Sequence, residues 1–139
     1  MSTGAHDRFE LKLRNVSGVP VLELAGAITK TALQAVRFSL DKLASAGHYN
    51  VILNLERTRV TEWGLLDGLS EVVRKIRSHY GTVNIVGAAD RLQQVSGIDQ
   101  IARLFRFCAT EAQAISRIKG LLRHPDTASE TNAQFLEKP

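Results

Sequence analysis

The fold is decided by the run Val51-Ile52-Leu53-Asn54-Leu55, the residues after it, Glu56-Arg57-Thr58-Arg59-Val60, and the segment Thr61-Glu62-Trp63-Gly64-Leu65-Leu66-Asp67. An apolar run interrupted by a single asparagine suits a strand in the middle of a sheet covered on both faces. Further on, Leu65, Leu66, Leu69, Val72, Val73 and Ile76 recur at helical spacing, with Glu71, Arg74, Lys75 and Arg77 on the other side. The mostly polar residues Glu56 to Val60 are expected to form a short loop, so the stretch reads as strand, loop, helix. Function is expected where the loop meets the helix, because a helix start presents unpaired N–H groups and the positive end of its dipole.

Working back toward the N-terminus, Phe9, Leu11 and Leu13 alternate with Glu10, Lys12 and Arg14, the pattern of a strand with one wet face. Asn15-Val16-Ser17-Gly18 supplies turn residues and Val19 to Leu24 a second strand, which makes a hairpin. Pro20 cannot donate to a ladder and belongs near the start of that strand or at an unpaired position. Gly26 to Thr29 break the strand, Thr29 or Thr31 can cap a helix over Lys30 to Ala46, and Gly47 closes it. Downstream of the central helix, Thr82 to Gly87 is another short strand. Arg91 to Val95 and Ile98 to Ala102 suit short helical turns, Leu104 to Cys108 a last strand, and Thr110 onward a last helix with Glu111 in its first turn. The order β-β-α-β-α-β-α-β-α predicts a single α/β domain over 7–123, with a mixed sheet packed against helices. Residues 1–6 are read as a flexible lead-in and 124–139, polar and aperiodic, as a disordered tail in which Phe135 and Leu136 offer a docking element.

Composition narrows the class. A content of 44% hydrophobic and 23% charged residues over 139 positions is that of an ordinary globular domain. No apolar run approaches the roughly 18 residues that cross a bilayer, and the N-terminus lacks a signal-peptide core, so a cytoplasmic location without membrane insertion is expected. One cysteine, Cys108, excludes an internal disulfide framework and a cysteine-rich metal site and is expected to be a buried apolar residue. Eighteen basic against fourteen acidic residues leave a net charge of +4, a mild and dispersed excess. Arg57, Arg59, Arg74, Lys75 and Arg77 come nearest to a patch, which would meet an acidic protein, a phosphate or an anionic membrane, or simply be solvated. Charge is the only argument for nucleic acid, and it is weak.

Enzyme chemistry finds no footing. Asp67 and Glu71 lie four apart on the central helix, but helix-surface ion pairs explain them better than acid–base work. His6, His48, His79 and His124 have no ligand spacing, and Gly64 and Gly68 are not followed by the lysine of a phosphate loop. No cofactor or metal is expected. Two roles fit Trp63: covering the edge of the core, or anchoring a protein interface. Thr61 suits a helix cap, and Thr58 and Thr61 are the hydroxyls that stand nearest the helix start.

The element order, the hairpin ending in Gly26, the strand Val51 to Leu55, the loop and helix beginning near Glu62, the strand closing in Gly87 and the later Ser96-Gly97-Ile98 together resemble the STAS domain. That family covers anti-sigma-factor antagonists and the cytoplasmic part of sulfate transporters, and the resemblance spans about Phe9 to Leu122. It implies a non-catalytic docking module. In antagonists of the family a serine after an aspartate at the start of the central helix is phosphorylated by a partner kinase, which places nearly two negative charges on the docking surface. Counting from Asn54 without gaps puts Glu62 on the aspartate and Trp63 on the serine; matching Gly64 to the family glycine puts Thr61 and Glu62 there instead. Neither register leaves a hydroxyl at the switch, and Thr29 stands where an acidic residue is common. The resemblance therefore implies docking on an anti-sigma factor, its serine kinase or a signalling scaffold without conventional serine phosphoregulation. The contact residues would be Arg57, Thr58, Arg59, Thr61, Glu62, Trp63, Gly64 and Asp67, with a displaced phosphorylation at Thr58 or Thr61 as a lesser option. The alternative is a cytoplasmic subunit of a lipid or anion transporter. A homodimer is compatible with either.

Overall fold

The computed structural model describes residues 9–59, 63–87 and 103–123. Strands β1 (Phe9–Val16) and β2 (Val19–Ala27) form the expected antiparallel hairpin, with Ser17 and Gly18 at positive φ in its turn. Helix α1 (Lys30–Ser45) is capped by Thr29, whose Oγ1 accepts from the Ala32 N–H at 3.2 Å, and ends before Gly47 at φ +89°. The remaining elements are β3 (Asn50–Arg59), a 3₁₀ segment over Trp63–Leu69, α2 (Ser70–Ser78), β4 (Thr82–Val86), β5 (Arg106–Cys108) and α3 (Glu111–Arg123). The sheet runs β1-β2-β3-β4-β5 in chain order, antiparallel at the hairpin and parallel from β2 onward.

Right-handed crossovers that step across a sheet in one direction deposit their helices on one face. Accordingly α1 and α2 share a face, where Leu33, Val36 and Leu40 of α1 and Val72, Val73 and Ile76 of α2 close over Leu22, Leu24, Leu53, Leu55 and Ile85. Helix α3 follows the last strand and lies on the other face, where Ala114 and Ile118 pack on Val19, Val21, Ile52, Val86 and Cys108. Cys108 is buried, as its apolar strand predicts.

Three expectations change. Glu56 to Arg59 are not a loop: β3 continues through them and pairs with Ala25–Ala27 of β2. The central helix begins as a 3₁₀ segment and becomes α-helical at Ser70. The last strand is shorter than Leu104 to Cys108, since Leu104 belongs to a helical turn and only Arg106–Cys108 pair with β4. The lead-in, the turns expected over 91–95 and 98–102, and the tail lie outside the described residues.

Candidate functional site

The corner where β3 leads into the central helix is shaped by a bulge. Asn54 pairs with Glu23 and Arg57 with Ala25, so β3 passes two residues where β2 passes one. The Glu56 N–H is taken by Asn54 Oδ1 at 2.9 Å. Past the bulge the alternation is reset: Leu55 is buried, Glu56 and Arg57 are exposed, Thr58 is buried and Arg59 exposed. The Ile28 N–H donates to the Arg59 carbonyl at 3.0 Å and ties the end of β3 to the start of the α1 turn. Close by, a Cβ at Gly87 (φ +86°) would run into the side chain and backbone of Glu56, which is why the end of β4 needs a glycine.

The bulge corrects the place of Thr58, read from the sequence as a rim contact and an occasional phosphoacceptor. Only 6% of it is exposed, and its hydroxyl donates to the Leu55 carbonyl at 2.7 Å. A phosphate there would have to be buried against that carbonyl, so this conformation does not offer the hydroxyl to a kinase. The basic patch is also divided. Arg57 lines a groove with Glu10, Lys12, Glu23 and Ala25, on the strand face that Arg14 shares with α3. Arg74, Lys75 and Arg77 belong to α2, on the opposite face.

The 3₁₀ segment brings together the expected contact residues Trp63, Gly64 and Asp67. Residues three apart align in a 3₁₀ helix, and here Leu66 and Leu69 are both buried against α1 and α2, which pins the segment. Asp67 and Gly68 face outward, and a Cβ at Gly68 would meet nothing. The indole of Trp63 and the residues Thr61 and Glu62 lie outside what the structure describes. Helix α2 then runs with Glu71 in its first turn and Lys75 and Arg77 in its last, each sign where the helix dipole favours it.

Two grooves border this corner. One, of about 290 Å³, is lined by Asp67, Ser70, Arg74, Arg103 and Leu104. The other, of about 630 Å³, runs between α1 and α2 along Gln34, Arg37, Phe38, Asp41, Glu71, Val72 and Lys75. It is bridged by Lys75 Nζ donating to Asp41 Oδ1 at 2.9 Å, and its rim carries Phe38, 64% exposed, with Lys42 Nζ 5.1 Å from the ring centre.

A second polar cluster, unforeseen from the sequence, lies under α3. Glu111 Oε2 accepts from Asn54 Nδ2 at 2.6 Å and from Arg14 Nη2 at 2.5 Å, and Arg14 Nε donates to Glu23 at 3.1 Å. Burial works to raise the Glu111 carboxyl, but the hydrogen bonds from Asn54 and Arg14 and the charge of Arg14 outweigh it and hold the group below the usual glutamate value. The bond to Glu111 in turn raises the Arg14 guanidinium. The signal that points to this cluster is Asn54 itself, a carboxamide in an otherwise apolar strand. It is a clasp between three strands and a helix, with every charge answered.

Among the described residues no group of His, Cys, Asp and Glu is arranged to hold a metal ion. His79 stacks on Tyr49 with ring centres 4.4 Å apart, a packing contact. Among the same residues no helix is long and apolar enough to cross a membrane.

No known family's sequence profile matches this chain, and no curated protein does. Solved structures do match. The anti-sigma factor antagonist SpoIIAA in its unphosphorylated form superposes with a TM-score of 0.61 at 20% identity, over 80% of this chain and 99% of that one. The phosphorylated form of the Bacillus SpoIIAA gives 0.54 at 22% identity, over 78% and 99%. An anti-sigma factor antagonist from Mycobacterium paratuberculosis gives 0.60 at 15% identity, over 81% and 96%. At these identities the likeness is one of fold.

Proposed function

On the premise that this chain has the STAS fold, we propose that it is a non-catalytic interaction module that docks a protein partner through the 3₁₀ segment and the start of α2. The partner class is an anti-sigma factor, its serine kinase or a signalling scaffold of the same system. The observation that carries the reading is the pinned 3₁₀ segment: Leu66 and Leu69 fix it to the core while Asp67 faces solvent in the same segment that Trp63 opens. A rigid, outward-facing turn with a tryptophan at its head is what a protein interface uses as an anchor. Thr58 is removed from the contact set by burial, Arg57 by its place on the other face, and Arg59, two residues on in the same strand, by alternation onto that face. Thr61, Glu62 and Gly64 complete the proposed contact.

Neither alignment with the family's switch leaves a serine at the helix start, so the module works without conventional serine phosphoregulation. The transporter-subunit alternative follows from the family's use in lipid and anion transport and is suited by a basic excess around the central helix, of which Arg57 does not share a face with Arg74, Lys75 and Arg77. The test is an affinity capture from native lysate with wild type, Trp63→Ser and Asp67→Lys side by side, read by quantitative mass spectrometry. A regulator or kinase-fold protein recovered with wild type and lost with both variants is the expected result. Equal recovery by all three chains overturns the contact face, and recovery of a permease or transport ATPase in place of a regulator overturns the partner class.

A further inference from the structure

We infer that the groove formed by Asp67, Ser70, Arg74, Arg103 and Leu104 receives an acidic side chain of the docked partner protein, held by Arg74 and Arg103 while an adjacent apolar residue rests on Leu104. The inference rests on the docking reading and names the chemistry of what docks. Its geometric basis is the meeting of two arginines from distant parts of the chain. Arg74 projects from the middle of α2, and Arg103 is brought to it because Arg77 Nη1 donates to the Arg103 carbonyl at 2.5 Å. Leu104 packs against the core and fixes the same turn from below.

Among the described residues the ion pairs are Arg14–Glu23, Arg14–Glu111 and Lys75–Asp41, so within that set neither Arg74 nor Arg103 is held by a carboxylate, Asp67 included. The larger groove between α1 and α2 differs in this respect: Arg37 and Lys75 there face Asp41 and Glu71, the Lys75–Asp41 pair is closed, and the groove has no sign preference. Two unanswered guanidiniums beside one carboxylate attract negative charge, and guanidinium matches carboxylate geometry through paired N–H donors. The occupant is a discrete carboxylate on a protein rather than a nucleic-acid backbone. At about 290 Å³ the groove is short, Asp67 at its side repels the repeating charge of a phosphate chain, and Leu104 at its end suits an apolar residue next to the acidic one.

The test uses the full ¹⁵N-labelled chain and a capped glutamate-leucine-glutamate peptide flanked by glycines, followed by chemical shift. Saturable shifts confined to residues 67–74 and 103–104 are expected, weakening as salt rises. Affinity should fall by about tenfold in the double variant Arg74→Glu, Arg103→Glu, two exposed pairs' worth. It should hold in Lys12→Glu, which makes a like change of charge at one site on the opposite face. The glutamine-leucine-glutamine peptide should leave the spectrum unmoved. No shifts up to about 10 mM peptide, equal shifts with the glutamine peptide, or equal loss with Lys12→Glu overturns the inference. The capture with Trp63→Ser separates the two failures: lost capture with a silent groove removes the carboxylate and leaves the docking face, whereas a responsive groove with unchanged capture removes the docking face.

Discussion

Ile52 and Leu53 are neighbours in β3 and both are fully buried, yet they point to opposite faces of the sheet and meet different surroundings. Leu53 enters a core closed by two helices, the 3₁₀ segment and four strands. Ile52 lies beneath the single helix α3, whose first turn is fastened by the polar clasp of Glu111, Asn54 and Arg14. The lesson is that one face is held by shape and the other by shape plus charge. The proposed docking corner stands on the face held by shape, where Leu66 and Leu69 fix the backbone whatever the pH or salt.

Substitution of the two neighbours sharpens this comparison most. Leu53→Ala should cost about 4 kcal/mol, because a cavity walled by two helices and a sheet cannot collapse, and Ile52→Ala about 1 kcal/mol less, because α3 can settle into the space. Urea unfolding midpoints read the difference, and a larger loss at Ile52 would break the contrast.

The hairpin, α1 with its Thr29 cap, the burial of Leu69, Val72, Val73 and Ile76, and the mixed sheet were all legible, because each rests on local periodicity or a local cap. The extension of β3 through Arg59 was not. Glu56 and Arg57 read as loop because a bulge resets the alternation there, and a bulge is set by the partner strand rather than by the residues themselves. The same reset hid the burial of Thr58. The clasp was invisible for another reason: Glu111 lies 57 positions from Asn54 and 97 from Arg14, and only the closed sheet brings them together. Of the candidate site, the turn holding Trp63, Gly64 and Asp67 was legible as a helix start, whereas the groove beside it depends on Arg103, which no local pattern connects to Arg74.

At neutral pH Glu111→Gln should lower stability by about 1 kcal/mol, since the bond from Asn54 becomes a neutral one and the bond from Arg14 loses the carboxylate's charge at a partly exposed position. The folded pKa of Glu111 is depressed, so its ionised form stabilises the fold fully above the unfolded glutamate value of about 4.3 and loses that contribution as pH falls through the lower folded value. Unfolding curves of wild type and Glu111→Gln should therefore be separated at pH 7 and converge in acid. A separation that does not change with pH would show that the carboxylate's charge is not what fastens α3. The Ile52 and Leu53 costs, being apolar, should keep their difference over the same range.

The smallest effect is expected at the surface of the face that carries α1 and α2. Lys75→Met opens the pair with Asp41, whose two side chains are about half exposed (47% and 56%), and should change stability by no more than about 0.5 kcal/mol. A loss well beyond that would mean the groove between α1 and α2 is held by charge after all, and the contrast between the faces would fail.

The central claim, that binding uses the face with the 3₁₀ segment, is tested most directly by amide hydrogen exchange on the chain alone and with the partner that wild type captures. Exchange should slow over residues 63–74 and 103–104 and stay unchanged over 9–16 and 111–118. Slowing confined to 9–16 and 111–118 would place the partner on the clasp side and contradict the account.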